Sequence, residues 1–515
     1  MSKSVDEELG PTVVFADPEQ TIYLADMSGD GLNDLVRIRN GNVCYWPSLG
    51  FTRFGSKVTM DNTPWFDYGD QFSNSRIRLA DIDGSGMTDI LYIGSQGVGV
   101  YRNESGNSWA PMVRLENFLI DNMSSAVVND LLGTDTACLV WSSVLPGDAQ
   151  RQMRYIDLMG GSKPHLLTKM TNSMGTETRV HYTPSTHFYL QDKQNGKPWL
   201  TRLPFPVHVM ELVETFDRVS RNHFATRYAY HHGYFDGVER EFRGFGMVEQ
   251  WNAEEFAALL PLGNEPPLNL DEASHVPLVL TKTWFHTVFS QFDGDISKQF
   301  ESDYYREPGI TDDQLRSMTL EDTVLPTQVR LPDGTLSSYV LSPQEIREAS
   351  RSLKGSILRQ EIYGLDGTEK QPRPYNVSER NFTIEFLQPL GPINRHAVFY
   401  SHPRETVNIN YERTLVIDAG GNPMADPMVT HQMVLDVDDF GNILKSVAVG
   451  YGRRRDAADP LLTPEDHAKQ KATLITYVET RYTNAVLEDD NYLGPLPYES
   501  LTYELLKAVR EDSDP

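Results

Sequence analysis

LADMSGDGLNDLVRI (Leu24 to Ile38) and LADIDGSGMTDILYI (Leu79 to Ile93) are two copies of one loop running into one strand. Oxygen-bearing side chains stand two residues apart at the start of each loop and return near its end. Asp26, Ser28, Asp30 and Asp34 hold positions 1, 3, 5 and 9 of the first copy, and Asp81, Asp83, Ser85 and Asp89 hold them in the second. Gly29, Gly31, Gly84 and Gly86 let the backbone curl, and each loop exits into an apolar, β-branched run. Carboxylate and hydroxyl oxygens alternating on a tight loop suit a hard cation such as Ca2+. The loop is not an EF-hand, because no Glu stands at position 12 and a strand, not a helix, follows. The alternative is that Asp and Gly build side-chain-supported turns without metal.

The anchors Asp26 and Asp81 are about 55 residues apart, the size of one four-stranded propeller blade. A decayed third copy, VNDLLGTDTACLVWS (Val128 to Ser142), keeps Asp130 and Gly133 but has Asp135 for the second Gly and Cys138 for the last ligand. That copy is expected to hold no metal. Three copies cannot close a propeller, which has four to eight blades. The expectation is an incomplete propeller of FG-GAP-like blades over residues 1–150.

The chain has 515 residues, 39% of them hydrophobic and 10% aromatic, enough for two to four domains with substantial cores. Its 37 Gly and 31 Pro are scattered, which suits many short strands and turns. A formal charge of −26 argues against a nucleic-acid partner, since phosphate binding needs clustered Lys and Arg. Two cysteines, Cys44 and Cys138, supply no disulfide framework. The start, MSKSVDEELGP, lacks an apolar core of signal-peptide length, and no run of eighteen apolar residues occurs. The expectation is a protein made in the cytoplasm without a signal peptide and not inserted directly in a membrane, so that export needs another route.

After about residue 150 the texture changes to β-rich runs punctuated by turns, with period-two alternation in Thr176 to Tyr182 and His208 to Val213. We expect residues 151–260 to form one part of an antiparallel sheet, 261–277 (PLGNEPPLNLDEASHVP) a linker, and 278–515 a second part. Helices are few. Ser342-Pro343-Gln344-Glu345 is a capping box opening a helix to about Leu353, and Thr463-Pro464-Glu465-Asp466 opens another to about Lys471. A third is expected from Thr311 through Met318. LPDGT (331–335), GLDGT (364–368), DAGGN (418–422) and DDFGN (438–442) share an Asp–Gly turn pattern that resembles Rhs or YD-type repeats, whose hairpins spiral into a continuous sheet.

No catalytic constellation stands out: HExxH, GxSxG, the Walker A loop and CxxC are all missing. His231 and His232 adjoin Asp236, Glu239 and Glu241, but neighbours on a strand point to opposite faces, so a structural role is expected for the pair. Aromatic crowding at Tyr228, Tyr230, Tyr234 and Phe235 reads as cross-strand pairing. Paired carboxylates of a carbohydrate-active enzyme would be invisible in sequence spacing.

Long stretches carry a more specific signal. Gly160 to Asp217, Tyr228 to Trp251, Trp284 to Met318 and Tyr477 to Leu505 resemble the middle region of the B component of bacterial tripartite insecticidal toxin complexes. Virulence proteins of the Salmonella plasmid type share that region. The resemblance implies a mainly β fold: a partial propeller followed by an Rhs/YD-like antiparallel shell with a few short helices. It implies a non-catalytic role and two partners, an Rhs-repeat C component that completes a shell around a cytotoxic domain and a pentameric, pore-forming A component. Action would then be extracellular, as part of the complex. Family members are much longer, so this chain corresponds to their central region, with sequence expected before Met1 and after Pro515. The competing readings are a Ca2+-dependent adhesion or recognition propeller, since such loops also occur in integrin-like receptors, and an enzyme acting on carbohydrate.

Overall fold

The computed structural model describes residues 8–11, 21–116, 125–253, 278–287, 298–311, 313–315, 319–331, 334–417, 423–454 and 461–506. The expected linker at 261–277 and the DAGGN turn at 418–422 lie outside them. The chain is mainly β, with antiparallel sheets throughout and few helices. It divides into two compact units: residues 1–168 with 183–187 and 205–209, and residues 169–182 with 188–204 and 210–515.

The first unit carries three sheets of three or four strands, one per loop copy, and a two-stranded pair of Asn103–Glu104 with Ser108–Trp109. Ile22–Ala25, Asp34–Arg39, Asn42–Trp46 and Val58–Thr59 form the first, in chain order. Ile77–Ala80, Asp89–Gly94, Gly97–Tyr101 and Val113–Leu115 form the second, and Ser125–Asn129, Cys138–Ser142 and Met153–Asp157 the third. The strands after the loops read as near-continuous apolar runs because both of their faces are covered. Val36, Ile38, Val43 and Tyr45 pack with Ile77, Ile90, Tyr92 and Trp109. On the opposite face of the second sheet Leu91, Ile93, Val98 and Val100 pack with Ala126 and Leu139. Burying each such side chain contributes about 2 kcal/mol, so the middle sheet is held from both sides.

The second unit is built on one sheet of thirteen strands whose order follows the chain strictly, from Lys169–Thr171 to Pro497–Glu504, every strand beside its predecessor in that sheet. Hairpin after hairpin is the cheapest connection for antiparallel strands. The Asp–Gly turns serve it: Gly367 and Gly441 take φ of +68° and +85°, while Asp366 accepts from the Thr368 amide and Asp438 from the amides of Phe440 and Asn442. Both capping boxes form. Ser342 and Glu345 cap the helix Pro343–Arg351, and Thr463 and Asp466 cap Pro464–Lys471. In the third expected helix the Leu315 amide donates to the Thr311 carbonyl, while Asp312 and 316–318 are outside the described residues. A helix at Ser185–Gln194 was not expected. It opens without a capping box and has no apolar stripe, and of its side chains Phe188 is the large one that is buried.

Charge is buried in this sheet as well as apolar surface. Arg359, on the strand Ile357–Leu365, donates to Glu361 at 2.7 Å and to Glu379 at 3.0 Å. Glu361, with no exposed surface, also accepts from the Tyr363 hydroxyl at 2.6 Å and the Tyr305 amide at 2.9 Å. Such groups are tolerated in low dielectric only when every one of them is paired.

Candidate functional site

The three Asp–Gly loops share one internal architecture. The position 1 carboxylate closes the turn by accepting backbone amides: Gly29 and Gly31 donate to Asp26, Gly84, Ser85 and Gly86 to Asp81, and Thr134 and Asp135 to Asp130. The position 9 side chain reaches back to the amide of position 2. Asp34 accepts from Met27 at 2.9 Å and Asp89 from Ile82 at 3.1 Å. In the third copy the buried Cys138 sulfur takes that place opposite the Leu131 amide. The second oxygens of Asp34 and Asp89 accept from Ser48 and Asn103, each at 2.7 Å. The left-handed backbone that Gly31 and Gly86 supply at position 6, with φ of +82° and +87°, is adopted by Asp135 at +54° in the third copy.

Neighbouring copies are linked through backbone atoms. The position 8 amide of the second copy, on Thr88, donates to the Asp26 carbonyl at 2.8 Å, and that of the third, on Ala137, to the Ile82 carbonyl at 3.2 Å. The approach is close: a Cβ on Gly84 would lie 2.6 Å from the Asp135 carbonyl oxygen. Lys163 pairs with Asp135, and His165 Nε2 lies 3.3 Å from Asp83.

Burial sets the carboxyl acidities. It pushes Asp89 up to about 7 against the pull of its two amide donors, with the charges of Asp83 and Asp81 adding to the rise. Burial also raises Asp34 and Asp81. For Asp83 burial acts in the same direction, but the hydrogen bonds from Ser85 and His165 outweigh it and hold the carboxyl below its usual range.

The second copy gathers carboxylates as a cation site would. Oxygens of Asp81, Asp83 and Asp89 all lie within 4.8 Å of one another. Among the described residues Asp26, Asp30 and Asp34 form no such group, and Ser28 and Asp30 are exposed. Among the described residues the second copy, and not the first, brings three carboxylates this close together.

The sequence places His231 and His232 on opposite faces of their strand; the structure puts both in one cleft. The reason is His232, which takes φ of +57° inside the strand Asn222–Asp236 and so breaks the alternation. His231 Nδ1 lies 2.6 Å from Asp192, which also accepts from the Trp199 indole at 2.7 Å, and Lys282 pairs with Glu249 at 3.0 Å. Burial disfavours the charged His231 imidazole, but Asp192 and Glu249 outweigh it and raise the group to about 9. Burial likewise raises Glu249, and His231 and Lys282 overcome it to bring the carboxyl to about 2. Sequence reasoning missed this network and that of Arg359. The Arg359 network leaves one mark, polar groups at alternate positions of a strand in Arg359, Glu361 and Tyr363, whereas the His231 network is drawn from separate elements and leaves none. No helix among the described residues is long and apolar enough to cross a membrane.

Two family profiles match this chain: the insecticide toxin TcdB middle/N-terminal region over residues 120–258 and the middle/C-terminal region over 348–494. Together they take in more than half of it. No curated protein matches. Among solved structures, the crystal structure of TcdB2–TccC3 superposes with a TM-score of 0.75 at 28% identity, covering 96% of this chain and 22% of the other. The Photorhabdus luminescens Tc holotoxin pore gives a TM-score of 0.73 at 28% identity, with the same coverage. This chain thus spans about a fifth of the length of the solved chains it matches. It belongs to the TcdB-type insecticide toxin family, the B components of tripartite toxin complexes, and corresponds to their middle region.

Proposed function

We propose that the chain is a non-catalytic structural part of a tripartite toxin complex: the three small sheets are successive blades of an incomplete propeller, and the thirteen-stranded sheet is a stretch of shell wall. The observation that carries this is the sheet itself, laid down in strict chain order and similar over 96% of the chain to a protein solved together with TccC3. A wall of that kind encloses rather than converts. Its partners would be an Rhs-repeat C component, completing the shell around a cytotoxic domain, and a pentameric pore-forming A component, with which the assembly acts outside the producing cell. Co-expression with an Rhs-repeat C component, followed by affinity pull-down and size exclusion, tests this. A stoichiometric, salt-resistant complex is expected, and a chain that stays alone in solution overturns the reading.

The Asp–Gly loops act first as turns: their position 1 and position 9 oxygens close each loop on its own backbone amides, and main-chain bonds then fasten one copy to the next. One observation favours an ion in addition: the gathering of Asp81, Asp83 and Asp89. We confine Ca2+ to that second loop. Calorimetric titration of the chain with calcium should give at most one site, and that site should vanish in Asp83→Asn.

A further inference from the structure

The shell reading gives no task to His231 and His232, yet both line a cleft of about 550 Å³ in the second unit, a volume that admits a small molecule. Five elements or their flanks build it. Asp192 comes from the helix Ser185–Gln194 and Lys197 from the loop behind it; Glu249 and Lys282 come from neighbouring strands, and Asp303 from the 3-10 helix Lys298–Asp303.

Hydrogen-bonding capacity in the cleft is unbalanced. Its carboxylates already have partners of their own: Asp192 takes His231 and Trp199, Glu249 takes Lys282, and Asp303 lies 3.7 Å from His232. Donors are in surplus. Trp284 is completely buried against the cleft, and its indole N–H has no acceptor among the described residues. His231 Nε2 is also buried without a hydrogen bond, its nearest carboxylate, Glu249, standing off at 3.7 Å. At the exposed rim Lys197 has no ion pair among the described residues. A buried donor left unmet costs about 1–3 kcal/mol, so what the floor lacks is an acceptor. The backbone points the same way. A non-glycine residue held at positive φ costs about 1–3 kcal/mol, and His232 accepts that strain in mid-strand, where ordinary alternation would turn one imidazole out of the cleft.

We propose that this cleft binds a small oxyanion, a carboxylate or a phosphate, with Lys197 and Lys282 at its rim and the Trp284 and His231 N–H groups at its floor. The site is independent of the shell reading and stands or falls without it.

The test is isothermal titration calorimetry of the intact chain with succinate and, separately, with inorganic phosphate. Saturable binding of at least one is expected, and which one binds tells a carboxylate site from a phosphate site. Lys197→Ala, at an exposed position, should weaken binding about tenfold. Trp284→Phe keeps the ring and removes only the N–H, and should weaken it several-fold. Lys193→Ala, outside the cleft, should change nothing. Absence of binding up to about 10 mM of either anion, or binding that survives both Lys197→Ala and Trp284→Phe, overturns the proposal.

Discussion

The two units solve the same problem, stabilising short antiparallel strands, by opposite means. In the first, sheets of three or four strands stack face to face, so their interiors are Ile, Val, Leu, Tyr and Trp, and the buried carboxylates Asp34, Asp83 and Asp89 belong to the Asp–Gly loops. In the second, one wide sheet is covered in patches among the described residues, by the helix Pro343–Arg351 over Phe382 and Ile384, by Phe300 over Met247 and Trp284, and by Tyr305 and Leu320 over Val377, Val407 and Ile409. Paired charge fills much of the remaining interior, with Arg359, Glu361, Arg243 and Asp236 all buried and engaged. Stacked sheets get stability from area, whereas a single sheet must complete each polar network, so the two should fail differently.

The largest effect is expected from removing one member of a buried network. Glu361→Ala leaves the Arg359 guanidinium buried beside Glu379 alone and should cost about 4 kcal/mol in urea unfolding. Its counterpart in the first unit is a cavity. Ile90→Ala, in the middle sheet, should cost about 3 kcal/mol, scaled by the volume left behind, with the m-value unchanged. If Glu361→Ala were as mild as a surface change, the contrast between the units would collapse.

Acid should separate the units next. His286 is buried on the second unit's sheet, and burial holds its imidazole at about 3. An unfolded histidine titrates near 6.5, so between those values the unfolded chain binds the extra proton. This contribution is intact above about pH 6.5 and is lost as pH falls toward 3, at about 1.4 kcal/mol per pH unit. At pH 5 the loss should be about 2 kcal/mol, and His286→Leu should flatten it, as thermal melts across that range will show.

The smallest effect concerns the loops. Asp26→Ala removes the acceptor of two amides on an exposed turn and should cost about 1 kcal/mol. Asp81→Ala should cost about the same in chelator and distinctly more with calcium present, since among the described residues its loop is the one that gathers three carboxylates. Equal calcium dependence of the two melting temperatures would remove the distinction between the copies.

What was legible in the sequence was local. The Asp–Gly loops, the strands they open and the capping boxes at Ser342 and Thr463 are written in residues a few positions apart, and the structure has them where spacing puts them. The helix Ser185–Gln194 was not legible, because its sequence has neither cap nor periodicity, and the groups that anchor it, Phe188 by burial and Asp192 through His231 and Trp199, find their partners only after folding. The shared cleft of His231 and His232 was misread for a different reason. Alternation is a property of regular strands, and one φ of +57° at a residue other than glycine carries no sequence mark. The Arg359 network depends on strands that pair only after folding, so its closure could not be seen in advance.

The bonds that join one loop copy to the next run between main-chain atoms, from Thr88 to Asp26 and from Ala137 to Ile82. A joint made of peptide groups asks little of the side chains on either side of it beyond the bare glycine at Gly84, where a Cβ would meet the Asp135 carbonyl. A copy may therefore drift in sequence, trading glycine for Asp135 and carboxylate for Cys138, and still hold its station in the row. Chemistry at the loops can be lost one copy at a time while assembly is inherited intact.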